Sequence, residues 1–408
     1  MAVFTYQGKA SDGKKMDGVL QAPDRAAAQA ELRKRNIAVT TLAEKKKAAA
    51  KGKGGLFGMG PRAKPAEVSV FTRQLSTMIS AGIPLLEALE ILHEQSTEPG
   101  FRIALDRIID KVRSGSDFST ALSDYPRVFS KIYVNMVKAG EASGQLDTIL
   151  NRLAEYLEAT EELKREIKAA MTYPVVSLCL ITAITIGLVV GVVPKFKLIF
   201  EQLQMKELPA PTEILLKVSD WMKANFILFI LGMIVLIVAF IMYTRTAMGR
   251  KQWHWVCFHM PVFGPLFRKV AISRFARTFA TLIQSGVPML GALDIVAGTA
   301  GNVLVEDAVL RAKEAVARGE TLGDPLAATK IFPPMVTRMI AIGEKTGAIE
   351  KLLLKISEFY DQEVRATVKA LTSLIEPIMI ATMGCIVAGI VLSIFLPILK
   401  IQQQLTGG

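Results

Sequence analysis

The sequence predicts an all-α membrane protein: two homologous six-helix cytoplasmic bundles, three transmembrane helices and a small α/β unit at the N-terminus. Three observations point there. Of the 408 residues, 51% are hydrophobic although 21% are charged, and the apolar excess sits in three stretches without Asp, Glu, Lys or Arg, at 169–194, 224–244 and 377–399. Their 26, 21 and 23 residues each suffice to cross a hydrocarbon core of about 30 Å at roughly 1.5 Å of helix per residue. The second observation is an internal repeat: 71–92 and 275–296 align without gaps at an offset of 204, with ten of 22 positions identical. The third is helical spacing of apolar residues between the spans, punctuated by glycine and proline every 10 to 25 residues.

In chain order, 1–43 reads as two short strands around Val3–Tyr6 and Val19-Leu20, a helix over 24–35 and a strand over 37–42. The segment 44–66 is a basic flexible linker, with six lysines, one arginine and little to bury. Bundle 1 occupies 67–170, broken at Gly82-Ile83-Pro84, Pro99-Gly100, Ser114-Gly115-Ser116 and 140–144. Its last helix carries Leu146, Ile149, Leu150, Leu153 and Leu157 on one stripe, with its charges mostly off it. Transmembrane helix 1 follows at 171–194, a periplasmic loop at 195–223 and transmembrane helix 2 at 224–244. The stretch 245–270 is an aromatic connector whose Trp253 and Trp255 suit either a headgroup-level anchor or packing against the second bundle. Bundle 2 takes 271–373, transmembrane helix 3 takes 377–399 and a periplasmic tail takes 400–408.

The repeat extends beyond its identical core. Past a one-residue deletion near position 330 the offset becomes 203, so that Gly140-Glu141-Ala142-Ser143-Gly144 falls on Gly343-Glu344-Lys345-Thr346-Gly347, and Pro174 on Pro377. The stripe recurs as Ile349, Leu352, Leu353, Ile356 and Tyr360. The repeat unit is therefore a bundle plus the span that follows it. An N-terminus with a polar strand pattern, and no apolar leader core, keeps the first bundle in the cytoplasm, and two crossings return the second to the same side. The 195–223 loop has five lysines, no arginine and four acids, and every arginine lies on the inner side, in keeping with that orientation.

Composition excludes several chemistries. Three cysteines, with Cys179 and Cys385 inside spans, make neither a disulfide framework nor a four-thiolate metal site, and three scattered histidines do not gather a metal. His93-Glu94 lacks the second histidine of a zincin helix, and Gly343–Gly347 lacks the glycine before lysine and the strand that a phosphate loop needs. The glycine-bounded turns read instead as interhelical corners with Ser143 and Thr346 capping the next helix. Glu141 and Glu344 stand at the same loop position in both halves. They suit amides at that helix start, a partner's cation or a hard metal ion. Gly187 and Gly191, and Gly384 with Ala388, form small-residue faces for transmembrane packing, either within the chain or between copies. No nucleophile with a base, paired carboxylates or cofactor loop stands out, and no cofactor is expected. The net charge of +12 divides evenly along the chain, so a nucleic-acid partner is not expected; that reading would rest on Lys45, Lys46, Lys47, Lys51 and Lys53 alone. An oligomeric transporter or channel is the alternative from a different class, and the uncharged spans argue against it.

Two copies of FxRxxxTxIxxGxPxLxALxI, each followed by GExxG and an amphipathic helix entering a proline-led span, resemble the PilC/GspF family of inner-membrane platform proteins of type IV pilus assembly and type II secretion. The residues that match are Phe71, Arg73, Gly82, Pro84, Leu89, Gly140, Glu141, Gly144 and Pro174, then Phe275, Arg277, Gly286, Pro288, Leu293, Gly343, Glu344, Gly347 and Pro377. The resemblance implies a non-enzymatic scaffold, multi-pass in the bacterial inner membrane with its C-terminus periplasmic. Its implied partners are hexameric assembly or retraction ATPases, pilins or pseudopilins, other inner-membrane assembly proteins, the lipid bilayer and a second copy of the chain, a dimer being favoured. Arg73, Glu141, Arg277 and Glu344 are the partner-binding candidates, and the extended leader and lysine-rich linker tilt the reading from secretion towards pili.

Overall fold

The computed structural model describes residues 2–10, 15–22, 37–44, 61–202 and 208–406. They form two units, 1–60 and 61–408. In the first, β1 (Ala2–Ala10), β2 (Lys15–Ala22) and β3 (Ile37–Glu44) make an antiparallel sheet in the order β2-β1-β3. Phe4 pairs with Leu20 on one side and Glu44 on the other, and a bulge interrupts the β1–β3 register at Gln7/Gly8. The helix expected over 24–35 and most of the linker lie outside the described residues.

The second unit is helical. Its first half holds α1 (Pro65–Ser80), α2 (Leu85–Gln95), α3 (Pro99–Arg113), α4 (Phe118–Ser123), α5 (Lys131–Ser143) and α6 (Leu146–Gly187). Prolines open α1 and α3, where a missing N–H costs nothing, and Ser130 caps α5. A π-helical turn, Leu188–Val192, joins α6 to α7 (Val193–Gln202). Then come α8 (Ala210–Ala224), α9 (Phe226–Arg245) and α10 (Ala247–His259). The second half repeats the first as α11 (Gly264–Gln284), α12 (Met289–Thr299), α13 (Val303–Ala317), α14 (Gly323–Ala328), α15 (Pro334–Thr346) and α16 (Ile349–Thr406). The first helix of the repeat thus starts at Gly264, inside the stretch read as connector.

One apolar core runs through both halves. In the first, Phe71 meets Phe101 edge-on at 5.2 Å between centroids, and Phe129 packs on Tyr133 at 4.8 Å. The repeat partners Phe275 and Phe332 meet at 4.9 Å. Between halves, the Tyr156 and Thr278 hydroxyls share a buried hydrogen bond of 3.2 Å, and Arg152 donates to the Gln284 carbonyl. Nearer the spans, Leu266, Val364, Val368 and Leu371 form a second small core against Leu163 and Ile167. There Arg365 pairs with Glu166 at 2.8 Å and with Glu162 at 3.4 Å.

Three helices are long and apolar enough to cross a membrane, with mean hydropathies of 2.6, 3.0 and 2.5 over their most apolar windows. The first and third continue helices of the bundles without a break, over Leu146–Phe200 (55 residues) and Ile349–Leu399 (51 residues). Their bundle ends bury Ile149, Leu150 and Leu153, and Leu353, Ile356 and Tyr360, whereas beyond Pro174 and Met379 most side chains are bare. No residue of α9 is buried. Apolar surface of that extent is stable only against lipid or another apolar helix.

The stretch read as a loop at 195–223 is helical over most of its described length, and α8 packs back on both long helices. Thr212 Oγ1 donates to the Ser393 carbonyl at 2.5 Å and Ser219 Oγ to the Val189 carbonyl, inside the π-turn, at 2.6 Å, all four groups buried. Outside the spans, α10 packs in part against the second half. Cys257 and Phe258 are buried and His254 Nδ1 accepts the Val303 N–H at 2.9 Å, while Trp255 is exposed and Trp253 lies edge-on to Phe240 of α9.

Two expectations follow. Ser219→Ala and Thr212→Val each remove a hydroxyl from a buried carbonyl and loosen α8 by about 1 kcal/mol, measured as faster amide hydrogen exchange in α8 with α1 to α5 unchanged. Burial, then the Arg250 charge, lower the His254 pKa from its ordinary 6.5, with Glu306 opposing. A depressed histidine stabilises fully above its unfolded value and loses that contribution as pH falls through the folded one. Acidification from about pH 7.5 to about 5.5 is therefore expected to speed exchange at the Val303 amide.

Candidate functional site

The repeated GExxG turns join α5 to α6 and α15 to α16, and each residue of the motif has a separate task. The first glycine allows close approach. A Cβ on Gly140 would lie 3.1 Å from Ile149 Cβ, and one on Gly343 only 2.7 Å from Ile349 Cα, so the paired helices touch backbone to backbone. The last glycine closes the helix: Gly144 and Gly347 have φ of +68° and +69°, and the following amides return to the Gly140 and Gly343 carbonyls at 3.0 and 2.9 Å. Ser143 and Thr346 bond back to carbonyls of their own helix and do not cap the next one, because the left-handed glycine already ends the turn.

Between the glycines, each glutamate reaches sideways to a different helix from the one anticipated. Glu141 accepts the Phe118 and Ser119 amides at 2.6 and 3.1 Å, at the start of α4. Glu344 accepts the Leu322 amide at 2.8 Å, at the start of α14. A carboxylate at a helix start meets unpaired N–H groups and the positive end of the dipole. Among the described residues no group of three or more His, Cys, Asp or Glu is placed to hold a metal ion.

The two arginines also form equivalent arrangements. Arg73 grips Glu158 through two hydrogen bonds of 2.7 and 2.6 Å and donates to Asn151 at 2.7 Å. That hydrogen bonding holds the Glu158 carboxyl below the usual glutamate range. Arg277 pairs with Asp361, which also takes the Ser273 hydroxyl. Sequence reasoning missed Glu158 and Asp361, although the 203-residue offset between them was a usable signal. The small-residue faces are open: a Cβ on Gly187, Gly191 or Gly384 would meet nothing within 4 Å, and Ala388 is exposed. The structure thus brings Arg73 and Arg277 to the stems of α6 and α16, and Glu141 and Glu344 to the corners that lead into them. The four small residues stand apart, on the apolar stretches of the long helices.

Such an arrangement fixes helices at both corners. Glu141→Ala leaves two amides without their charged acceptor and is expected to lower stability by about 1.5 to 3 kcal/mol. Gly343→Ala forces α15 and α16 apart, for about 1 to 3 kcal/mol. Thermal unfolding of the full chain in detergent measures both, and unchanged melting would refute the assignment of these residues to the corners.

The family described as type II secretion system (T2SS), protein F matches residues 71–194 and 275–397, and the N-terminal domain of type II secretion system protein F matches 1–43. The chain is 41% identical over 408 residues to a type IV pilus assembly protein PilC of Thermus thermophilus, covering all of both chains. It is 41% identical over 401 residues to a PilC of Myxococcus xanthus, covering 98% of this chain and 95% of that one. With a type II secretion system protein F of Vibrio cholerae it shares 32% over 406 residues, covering all of both. The two family segments coincide with the two copies of bundle helix and span, and on that evidence the chain belongs to the type II secretion system protein F family.

Proposed function

We propose that this chain is a non-enzymatic inner-membrane platform of type IV pilus biogenesis, coupling cytoplasmic assembly or retraction ATPases to insertion or extraction of pilin subunits. The observation that carries the reading is the continuity of α6 and α16. Each is an amphipathic strut in a water-soluble core at one end and a lipid-facing span at the other, so force applied to the core reaches the bilayer without crossing a loop. In this reading 67–170 and 271–373 are two six-helix bundles on the cytoplasmic side. The 1–43 segment is a small α/β unit with its helix between β2 and β3, and the C-terminus is periplasmic. Partners are a hexameric ATPase on the bundles, pilin helices beside the spans and a second copy of the chain, with Gly187, Gly191, Gly384 and Ala388 as contact faces. Arg73, Glu141, Arg277 and Glu344 act by holding the surface that partners touch.

Secretion, with pseudopilins as clients, is the second reading. It is supported by the full-length similarity to type II secretion protein F, while 41% against 32% identity favours pili. The full chain in liposomes is expected to hydrolyse no nucleotide by itself and to capture the cognate hexameric ATPase. Charge reversals on the exposed faces of α2 to α4 and α12 to α14 are expected to weaken capture at least tenfold. Capture unaffected by reversals on both halves, or cysteine labelling that puts the halves on opposite sides of the membrane, would sink the proposal.

A further inference from the structure

Between α6 and α11 lies a groove of about 370 Å³, within the ordinary size range of small-molecule sites. Leu163, Ile167, Met171 and Val270 give it an apolar floor. Lys164, Lys168, Arg274 and Arg277 line it as well, and no acidic side chain does. Two of these cations are already matched, Lys164 by Glu161 and Arg277 by Asp361. Lys168 and Arg274 are exposed and enter no ion pair among the described residues.

The level of the groove decides what it meets. Lys168 is the last charge before the uncharged run 169–194, and Met171 belongs to that run. The lower end of the groove therefore opens where the helix passes from water to hydrocarbon. The internal repeat does not require this basic character. Positions 203 residues on from Lys164 and Lys168 are Thr367 and Leu371, so these two lysines belong to this seam alone and not to the shared bundle design.

We infer that this groove holds an anionic phospholipid of the adjoining leaflet. Its phosphate lies against Lys168, Arg274 and Lys164 add attraction, and its glycerol and upper methylenes rest on Ile167, Met171 and Val270, with the chains continuing into the bilayer. Basic pockets beside transmembrane helices recognise anionic headgroups through this combination of charge and adjoining hydrocarbon. An acidic peptide would match the charges, but the lower end of the groove offers it hydrocarbon in place of water.

The test is native mass spectrometry of the full chain released from bilayers containing equal amounts of phosphatidylglycerol and phosphatidylcholine. The wild type is expected to retain phosphatidylglycerol, and Lys168→Gln with Arg274→Gln to retain about tenfold less or lower still. A charge-matched control, Lys345→Gln with Lys351→Gln, is expected to retain as much as the wild type. Equal retention of phosphatidylcholine, undiminished retention by the double variant, or an equal loss in the control would overturn the assignment. So would displacement of the lipid by polyglutamate, which would give the groove to an acidic protein. A photoreactive phosphatidylglycerol on the wild-type protein removes dependence on the variant's folding: labelling around Ile167, Met171 and Val270 is expected, and labelling only elsewhere refutes the site.

Discussion

An α-helix that leaves a water-soluble core and enters lipid without a break has to satisfy two solvents with one continuous backbone. The helices α6 and α16 do so by changing pattern along their length, from a single apolar stripe to apolar side chains on every face. Their hydrogen-bonded backbones also tie the two patterns together. Once Ile149, Leu150 and Leu153 are locked into the core, the azimuth of every later residue on α6 is set, up to the extra residue that the π-turn inserts at 188–192. The same holds for α16, where burial of Leu353, Ile356 and Tyr360 determines which way Gly384 and Ala388 face. Packing of the soluble core is therefore also the orientation of the membrane surface, and the GExxG corners matter because they fix where both helices start.

Duplication within one chain permits something two identical copies could not. The long helices run side by side with equivalent positions facing, since Glu162 of α6 meets Arg365 of α16, 203 residues on. In a pair of identical helices this position would oppose like charges, which is destabilising. The fused repeat places opposite charges there, and Glu166 adds a closer contact to the same guanidinium. Exposed pairs of this kind contribute little stability, about 0 to 1 kcal/mol. Their value lies in discriminating the correct seam from pairing of either half with its own copy.

The sequence made the repeat, the three spans and the glycine corners legible because each is a local or periodic pattern. A charge-free run needs no knowledge of the fold, and identical residues at a fixed offset report a shared structure whatever that structure is. The strand positions of the first 44 residues were legible for the same reason. What escaped involves side chains meeting across many residues. Glu141 reads in the sequence as suited to amides at its own helix start, a partner's cation or a hard metal ion, yet its carboxylate reaches 23 residues back to α4 and not forward to α6, and nothing local distinguishes those targets. Arg73 finds Glu158 across 85 residues, where only the recurrence of an acid at position 361 offered a clue. The return of α8 onto the spans was hidden because its sequence, with Glu213, Lys217, Asp220 and Lys223, has the polarity of a surface loop. Those charges stay exposed or pair with neighbours, and only Thr212, Leu216 and Ser219 turn inward.

The position of α8 bears on how motion passes through the molecule. At the bundle end the long helices are joined by the small core around Val364 and Val368, and by Arg365. At the far end they are joined through α8, by Thr212 to Ser393 and Ser219 to Val189. Between these ties few span residues are buried, and the glycine faces carry no side chain to interlock. A pair of struts fastened at both ends and free in the middle resists separation but yields to bending. The yielding point has a structural cause: a π-turn has a wider hydrogen-bonded ring than the α-helix around it, and this one gives a carbonyl to the very hydroxyl that fastens the end. Displacement of the core relative to the bilayer would then appear as a change in the curvature of the spans before it appeared as their parting, because parting breaks two buried hydrogen bonds in an apolar setting and bending breaks neither.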